Sequence, residues 1–128
     1  MITLFVANSC ADAKEYPETV DSFGRMATEV HRVASLDEIN RYDRVSDWYG
    51  VIYDDEVIDD PLKEGLKVFL KETEADVLVL FKKKADGEKA FMSPRIFRRH
   101  ITLQPGSLSP EQKVIYERVL NGWIHDIG

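Results

Sequence analysis

Cysteine occurs once in the 128 residues, at Cys10. An internal disulfide and a cysteine-built zinc site are therefore both excluded. Basic residues are in the minority: 17 Lys and Arg stand against 23 Asp and Glu, a formal net charge of −6. Such a surface repels phosphate backbones, so nucleic acid is not an expected partner. No apolar run approaches the roughly 20 residues that a membrane span requires. Met1 to Val6 has neither the basic start nor the long apolar stretch of a secretory leader, so a cytoplasmic protein is the expectation. Repeats, low-complexity tracts and linkers are missing too, and residues 1–128 read as a single domain. What is present is folded composition, 44% apolar and 31% charged, which excludes wholesale disorder.

Ile2 to Ala7 is continuously apolar and β-rich, the pattern of a strand buried on both faces in a parallel sheet. A short helix is expected from Pro17, turning Val20 and Phe23 inward and stopping at Gly24. A weaker strand follows over Glu29–Ala34. Ser35-Leu36-Asp37-Glu38 has the form of a capping box and predicts a short helix through about Tyr42. Trp48–Tyr53 is the next strand, and it runs straight into Asp54-Asp55-Glu56. Asp60-Pro61 reads as an N-cap and first helical residue, with Leu62, Leu66, Phe69 and Leu70 at helical spacing behind it. Val77–Phe81 and Lys89–Met92 form a hairpin about Asp86-Gly87, closed by Ser93-Pro94. Ile101–Leu103 is a further short strand. Ser109-Pro110-Glu111-Gln112, a second capping box, predicts a last helix to about His125 that buries Val119, Leu120, Trp123 and Ile124; partly covered, this helix would be a dimer surface. The alternation predicts an α/β fold: a small, mostly parallel sheet with flanking helices and an antiparallel hairpin edge. Ligands of such sheets lie at the carboxyl ends of strands, here Ala7-Asn8 and Asp54-Asp55-Glu56.

Three adjacent carboxylates repel one another unless a cation or water separates them. Mg²⁺ or Mn²⁺ on Asp54, Asp55 and Glu56 would relieve that repulsion and keep positions open for substrate phosphates. The plainer alternative is a solvated acidic loop ahead of a helix. Asp59 and Asp60 are explained as turn and N-cap residues.

The stretch from Asp47-Trp48 through Asp54-Asp55-Glu56 to Asp60-Pro61-Leu62 resembles a segment of family-two, GT-A-type glycosyltransferases, in which Asp-Trp and an apolar strand lead into Asp-x-Asp-Glu and a helix. Ser93-Pro94-Arg95-Ile96-Phe97-Arg98-Arg99 is similar to their Pro-Arg-Leu-Phe-Arg stretch, and the first strand ending at Ala7-Asn8 to the one that opens their nucleotide-binding half. The resemblance spans about residues 1–103. It implies a Rossmann-like nucleotide-binding half in a minimal relative. A divalent ion would sit on the diphosphate of a nucleotide sugar, base and ribose would lie over Ala7 and Asn8, and Arg95, Arg98 and Arg99 would contact the diphosphate or an acceptor. In the best register Asp55 and Glu56 match the motif and Tyr53 replaces its first Asp; a shift by one residue gives Asp-x-Glu at 54–56. The chain is about half the expected length, and no residue is assigned as the base that inverting transfer needs. The alternative on the same scaffold is a non-catalytic binding or assembly module. A receiver domain ranks lower because Asn8-Ser9 stands where its acidic pair belongs, and a metal nuclease lacks its acid-x-lysine pair. Lys82-Lys83-Lys84 reads as an edge-strand guard, His125 as a partner of a helix C-terminus, and Cys10 as an incidental thiol.

Overall fold

The computed structural model describes residues 1–9, 17–83 and 90–127. Cys10 and the Asp86-Gly87 turn lie outside these residues. The elements in chain order are β1 (Ile2–Ala7), α1 (Pro17–Asp21), β2 (Ala27–Val33), β3 (Trp48–Tyr53), β4 (Glu56–Ile58), α2 (Asp60–Glu72), β5 (Val77–Lys83), β6 (Ala90–Arg98), β7 (Tyr116–Arg118) and β8 (Ile124–Asp126), with 3-10 turns at Gly24–Met26 and Leu36–Arg41. The strands form one sheet in the order β2-β1-β3-β6-β5-β8-β4, with β7 added beside β5.

β1 lies between β2 and β3, parallel to both, and every one of its residues is buried. The two-residue period of a strand divides its side chains between two cores. Ile2, Leu4 and Val6 join Trp48, Ile52, Leu62, Leu66 and Leu78 on one face. Phe5 and Ala7 join Tyr49, Val51, Val77 and Phe97 on the other. Gly50 permits this packing: a Cβ there would come within 3.1 Å of Ile96 Cδ1.

The expected α/β layering with flanking helices, a GT-A/Rossmann-like half, is overturned: the fold is mostly β, a single curled mixed sheet in the shape of a half-barrel. α1 and α2 are the only α-helices among the described residues. The face that carries Phe5 and Tyr49 is covered by the Leu36–Arg41 turn and by irregular chain bearing Ile101, Leu103 and Leu108. The expected C-terminal helix is missing for local reasons. Pro110 forms a bridge with Leu103, and Gln112 turns back to accept from the Thr102 amide at 3.0 Å and donate to the His100 carbonyl at 3.1 Å. Beyond it β7 and β8 pair with β5, with Ile124 buried inside β8 and Leu120 75% exposed, so the helix expected to present a dimer surface is absent.

Two smaller corrections concern β6 and the N-cap. β6 continues through Ser93-Pro94, with Pro94 opposite Val79 at a register irregularity, where a missing N–H is tolerated. Its far end then pairs antiparallel with β3. The cap of α2 is Asp59, whose Oδ1 accepts from the Leu62 amide at 3.0 Å. No helix among the described residues is long and apolar enough to cross a membrane.

Candidate functional site at the ends of the parallel strands

β1, β2 and β3 run in parallel and end side by side. The chain leaves β1 with the Asn8 amide donating to the Val33 carbonyl at 3.2 Å, and leaves β3 with the Asp54 amide donating to the Ala7 carbonyl at 2.9 Å. This holds Asn8 and Asp54 side by side at the ends of β1 and β3. The Asp54 carboxylate is 1% exposed. Its Oδ1 accepts from the Ser9 amide at 3.1 Å and its Oδ2 from Arg32 Nη2 at 3.0 Å. Thr19, on α1, donates its hydroxyl to the Asp54 carbonyl at 3.0 Å. The side-chain oxygen of Asn8 is shielded from solvent and has no hydrogen-bond partner among the described residues.

Asp54 and Asp55 form the turn that reverses β3 into β4, and Glu56 opens β4 fully buried. Glu56 Oε1 accepts from the Tyr53 amide at 2.8 Å and from Arg95 Nη1 at 2.7 Å. Its Oε2 accepts from Arg95 Nη2 at 3.0 Å and Lys82 Nζ at 2.5 Å. Lys82 spans on to Asp126 Oδ1 at 2.7 Å. Burial acts to raise the Glu56 pKa, but the hydrogen bonds and charge of Arg95, with those of Lys82 and the Tyr53 amide, outweigh it and hold the group below its ordinary value. For Lys82 burial acts downward, and the two carboxylates more than reverse it, keeping the ammonium charged.

Asp55 is the exception in the triplet. It is half-buried and forms no ion pair among the described residues. Burial, with the negative charges of Glu56 and Asp126, raises its pKa against the opposing pull of its own amide and Lys82. The residues brought together as a metal set therefore have different chemistries. Asp54 is tied to the Ser9 amide and Arg32, and Glu56 to the Tyr53 amide, Arg95 and Lys82, so a three-acid centre does not fit. No group of three or more His, Cys, Asp or Glu is arranged to hold a metal ion among the described residues. Asp55 is the one acid of the triplet without an ion pair among the described residues.

The three arginines do not converge. Arg95 and Arg98 are three apart on a strand, which sends them to opposite faces. Arg95 is locked on Glu56, with its Nε on Ser93 Oγ at 2.8 Å and its guanidinium 5.3 Å from the Tyr53 ring centroid. Arg98 lies 3.9 Å from the Trp48 ring centroid and donates to the carbonyls of Ala75 and Thr73 at 3.0 and 2.7 Å, closing the end of α2. Arg99 donates to the Val45 carbonyl at 3.0 Å.

Arg32 and Asp126 belong to the charged network and carried no motif of their own in the sequence; Lys82, read there as part of an edge-strand guard, instead lies between β6 and β8 and pairs with Glu56 and Asp126. Only strand parity offered a signal: Lys82 alternates with the exposed Lys83 and is the lysine that turns inward. His125 lies in β8 rather than at a helix end, and its Nε2 is 3.0 Å from Asp59 Oδ2. No family model matches the chain, and no curated protein matches it either.

Proposed function

We propose that the chain is a small cytoplasmic glycosyltransferase-like protein that binds a nucleoside-diphosphate sugar at the mouth formed by Ala7, Asn8 and Asp54. The observation that carries this reading is the side-chain oxygen of Asn8, shielded and without a partner among the described residues at the carboxyl end of β1, the middle of the three parallel strands. A buried acceptor left open costs roughly 1–3 kcal/mol, and a nucleobase N–H or ribose hydroxyl would satisfy it. The metal part of the reading narrows to Asp55, since Mg²⁺ is commonly held by one or two carboxylates together with substrate phosphates. Arg95 and Arg98 drop out as phosphate contacts, because their donors already serve Glu56, Ser93 and backbone carbonyls, and Arg99 is exposed with its Nη1 on the Val45 carbonyl.

Calorimetry with uridine, guanosine and cytidine diphosphates, with and without Mn²⁺, tests the reading. The expected result is binding by at least one nucleotide, weakened by Asn8→Ala, with a Mn²⁺-dependent part that Asp55→Asn removes. Failure of every nucleotide under both conditions rejects it. A second reading, a binding module without catalysis, draws support from the commitment of Glu56 to Arg95 and Lys82, which leaves one free acid where a transferase needs both a metal ligand and a base. It predicts nucleotide binding without release of sugar from the donor. Turnover of a donor by the purified chain excludes it.

A further inference from the structure

At the far end of α2 from the Asp54–Asp55 turn, a cavity of about 410 Å³ opens between the helix and β7. It falls within the range of ~300–1,000 Å³ of ligand pockets. Val68 and Phe69 supply its apolar part, and Glu72, Thr73, Glu74 and Glu117 the rest. Val68 is 53% exposed, and all three glutamates are exposed. Thr73 positions one of them, donating its hydroxyl to Glu117 Oε1 at 2.6 Å. Among the described residues, no lysine or arginine lines the cavity. The carbonyl end of α2 is already capped by Arg98, which donates to the Thr73 and Ala75 carbonyls, so the negative charge of the groove comes from the glutamates. β7 itself is a sheet edge: its described pairing is with β5 alone, and Tyr116, Glu117 and Arg118 are all exposed. An open strand edge beside an apolar, acidic groove is the combination used by surfaces that take up extended peptides.

We propose that this groove docks an extended, lysine- or arginine-bearing segment of a partner protein, an apolar side chain against Val68 and Phe69 and flanking cations against Glu72, Glu74 and Glu117. Charge complementarity selects this occupant. Three carboxylates around an apolar floor favour a cationic amphipathic segment, and they disfavour a second copy of a chain whose own net charge is −6. The inference is independent of the nucleotide reading, which concerns the other end of the molecule.

Fluorescence anisotropy with a fluorescein-labelled hexapeptide of alternating lysine and valine, added to the full chain, tests the proposal. The wild-type chain should bind it, and a glutamate–valine counterpart should not bind. Glu72→Gln/Glu74→Gln/Glu117→Gln should weaken binding about tenfold, the combined effect of three rim charges. Asp21→Asn/Asp43→Asn/Asp47→Asn, which removes the same charge from exposed sites elsewhere, should leave binding unchanged. No binding by the lysine peptide, or equal weakening by the two triple variants, overturns the proposal. So does concentration-dependent dimerisation in sedimentation that the glutamine variant alone abolishes, since the groove would then belong to a second copy.

Discussion

Replacing Glu56 by alanine should destabilise the fold by about 3–5 kcal/mol, because it strands the charge of Arg95. The guanidinium is 4% exposed as a side chain and the carboxylate 0%. After the substitution Arg95 keeps Ser93 Oγ at 2.8 Å, a long contact of 3.4 Å to the Val51 carbonyl and the Tyr53 ring, and no anionic partner among the described residues. Lys82 loses one of its two carboxylates, and the Tyr53 amide loses its acceptor. A domain holds about 5–15 kcal/mol in all, so the loss takes a large share of it. Urea denaturation at pH 7 is the measurement, with an unchanged dependence on urea showing that the native state is altered and not the unfolded one. The acid limb of the same curve carries an independent check. Glu56 is held below its ordinary value of 4.5 in the folded state, so its contribution is complete above about pH 4.5 and fades as the pH falls through the lower folded value. The variant should lack that part of the acid transition. A loss under about 1 kcal/mol would refute the ion-pair account. So would a Glu56→Gln chain that folds normally but no longer gains stability from Mn²⁺ with a nucleoside diphosphate, since bound ligand stabilises only what it contacts.

Three further perturbations probe the neighbouring elements. Asp55 has its pKa raised by burial and by the charges of Glu56 and Asp126, so stability falls as the pH rises above 3.8 through the folded value; Asp55→Asn should be more stable than the wild type above that window and equal to it below, measured by urea midpoints against pH. Gly122→Ala should cost about 1–3 kcal/mol, because its Cβ would press on Asp59 Oδ1 and come to 2.5 Å from the Leu62 backbone nitrogen, and thermal unfolding will report it. Asp59→Ala should cost about 1–2 kcal/mol as a lost N-cap, and should speed amide exchange at Trp123, whose N–H Asp59 also accepts at 3.1 Å.

The parts of the fold that were legible are those in which local pattern and burial agree. β1 and β3 are apolar at successive positions because both of their faces are core, and the chain says so directly. α2 declares itself through Leu62, Leu66, Phe69 and Leu70, and only its cap slips by one residue, from Asp60 to Asp59. The C-terminal segment misleads because its local signals conflict with its tertiary partners. A capping-box spelling at Ser109–Gln112 promises a helix, yet Val114, Ile115 and Tyr116 favour a strand, and β5 still has an open edge to fill. Asp59 then draws in the Trp123 amide and His125, fixing the segment across the start of α2. Arg95, Arg98 and Arg99 form one basic cluster in sequence but not in space. On a strand the two kinds of adjacency part at the first step of alternation.

The triplet Asp54-Asp55-Glu56 shows how far a charge pattern can be read before its partners are known. The repulsion that seemed to require a metal ion is largely answered from within, by Arg32 of β2 at one end and by Arg95 and Lys82 at the other. None of these cations lies within 20 residues of the acid it serves, so no local reading could have paired them. Around the turn, the carboxylates of Asp54, Asp55, Glu56 and Asp126 face three cations, which leaves one net negative charge. On the reading proposed for the mouth, a bare diphosphate would meet repulsion there and a diphosphate carrying Mg²⁺ or Mn²⁺ would not. The dependence on metal should then reside in Asp55 and vanish in Asp55→Asn, whose metal-free nucleotide affinity should rise above that of the wild type. If Asp55→Asn instead weakens metal-free binding, the carboxylate is contacting the nucleotide itself and the assignment of its role is wrong.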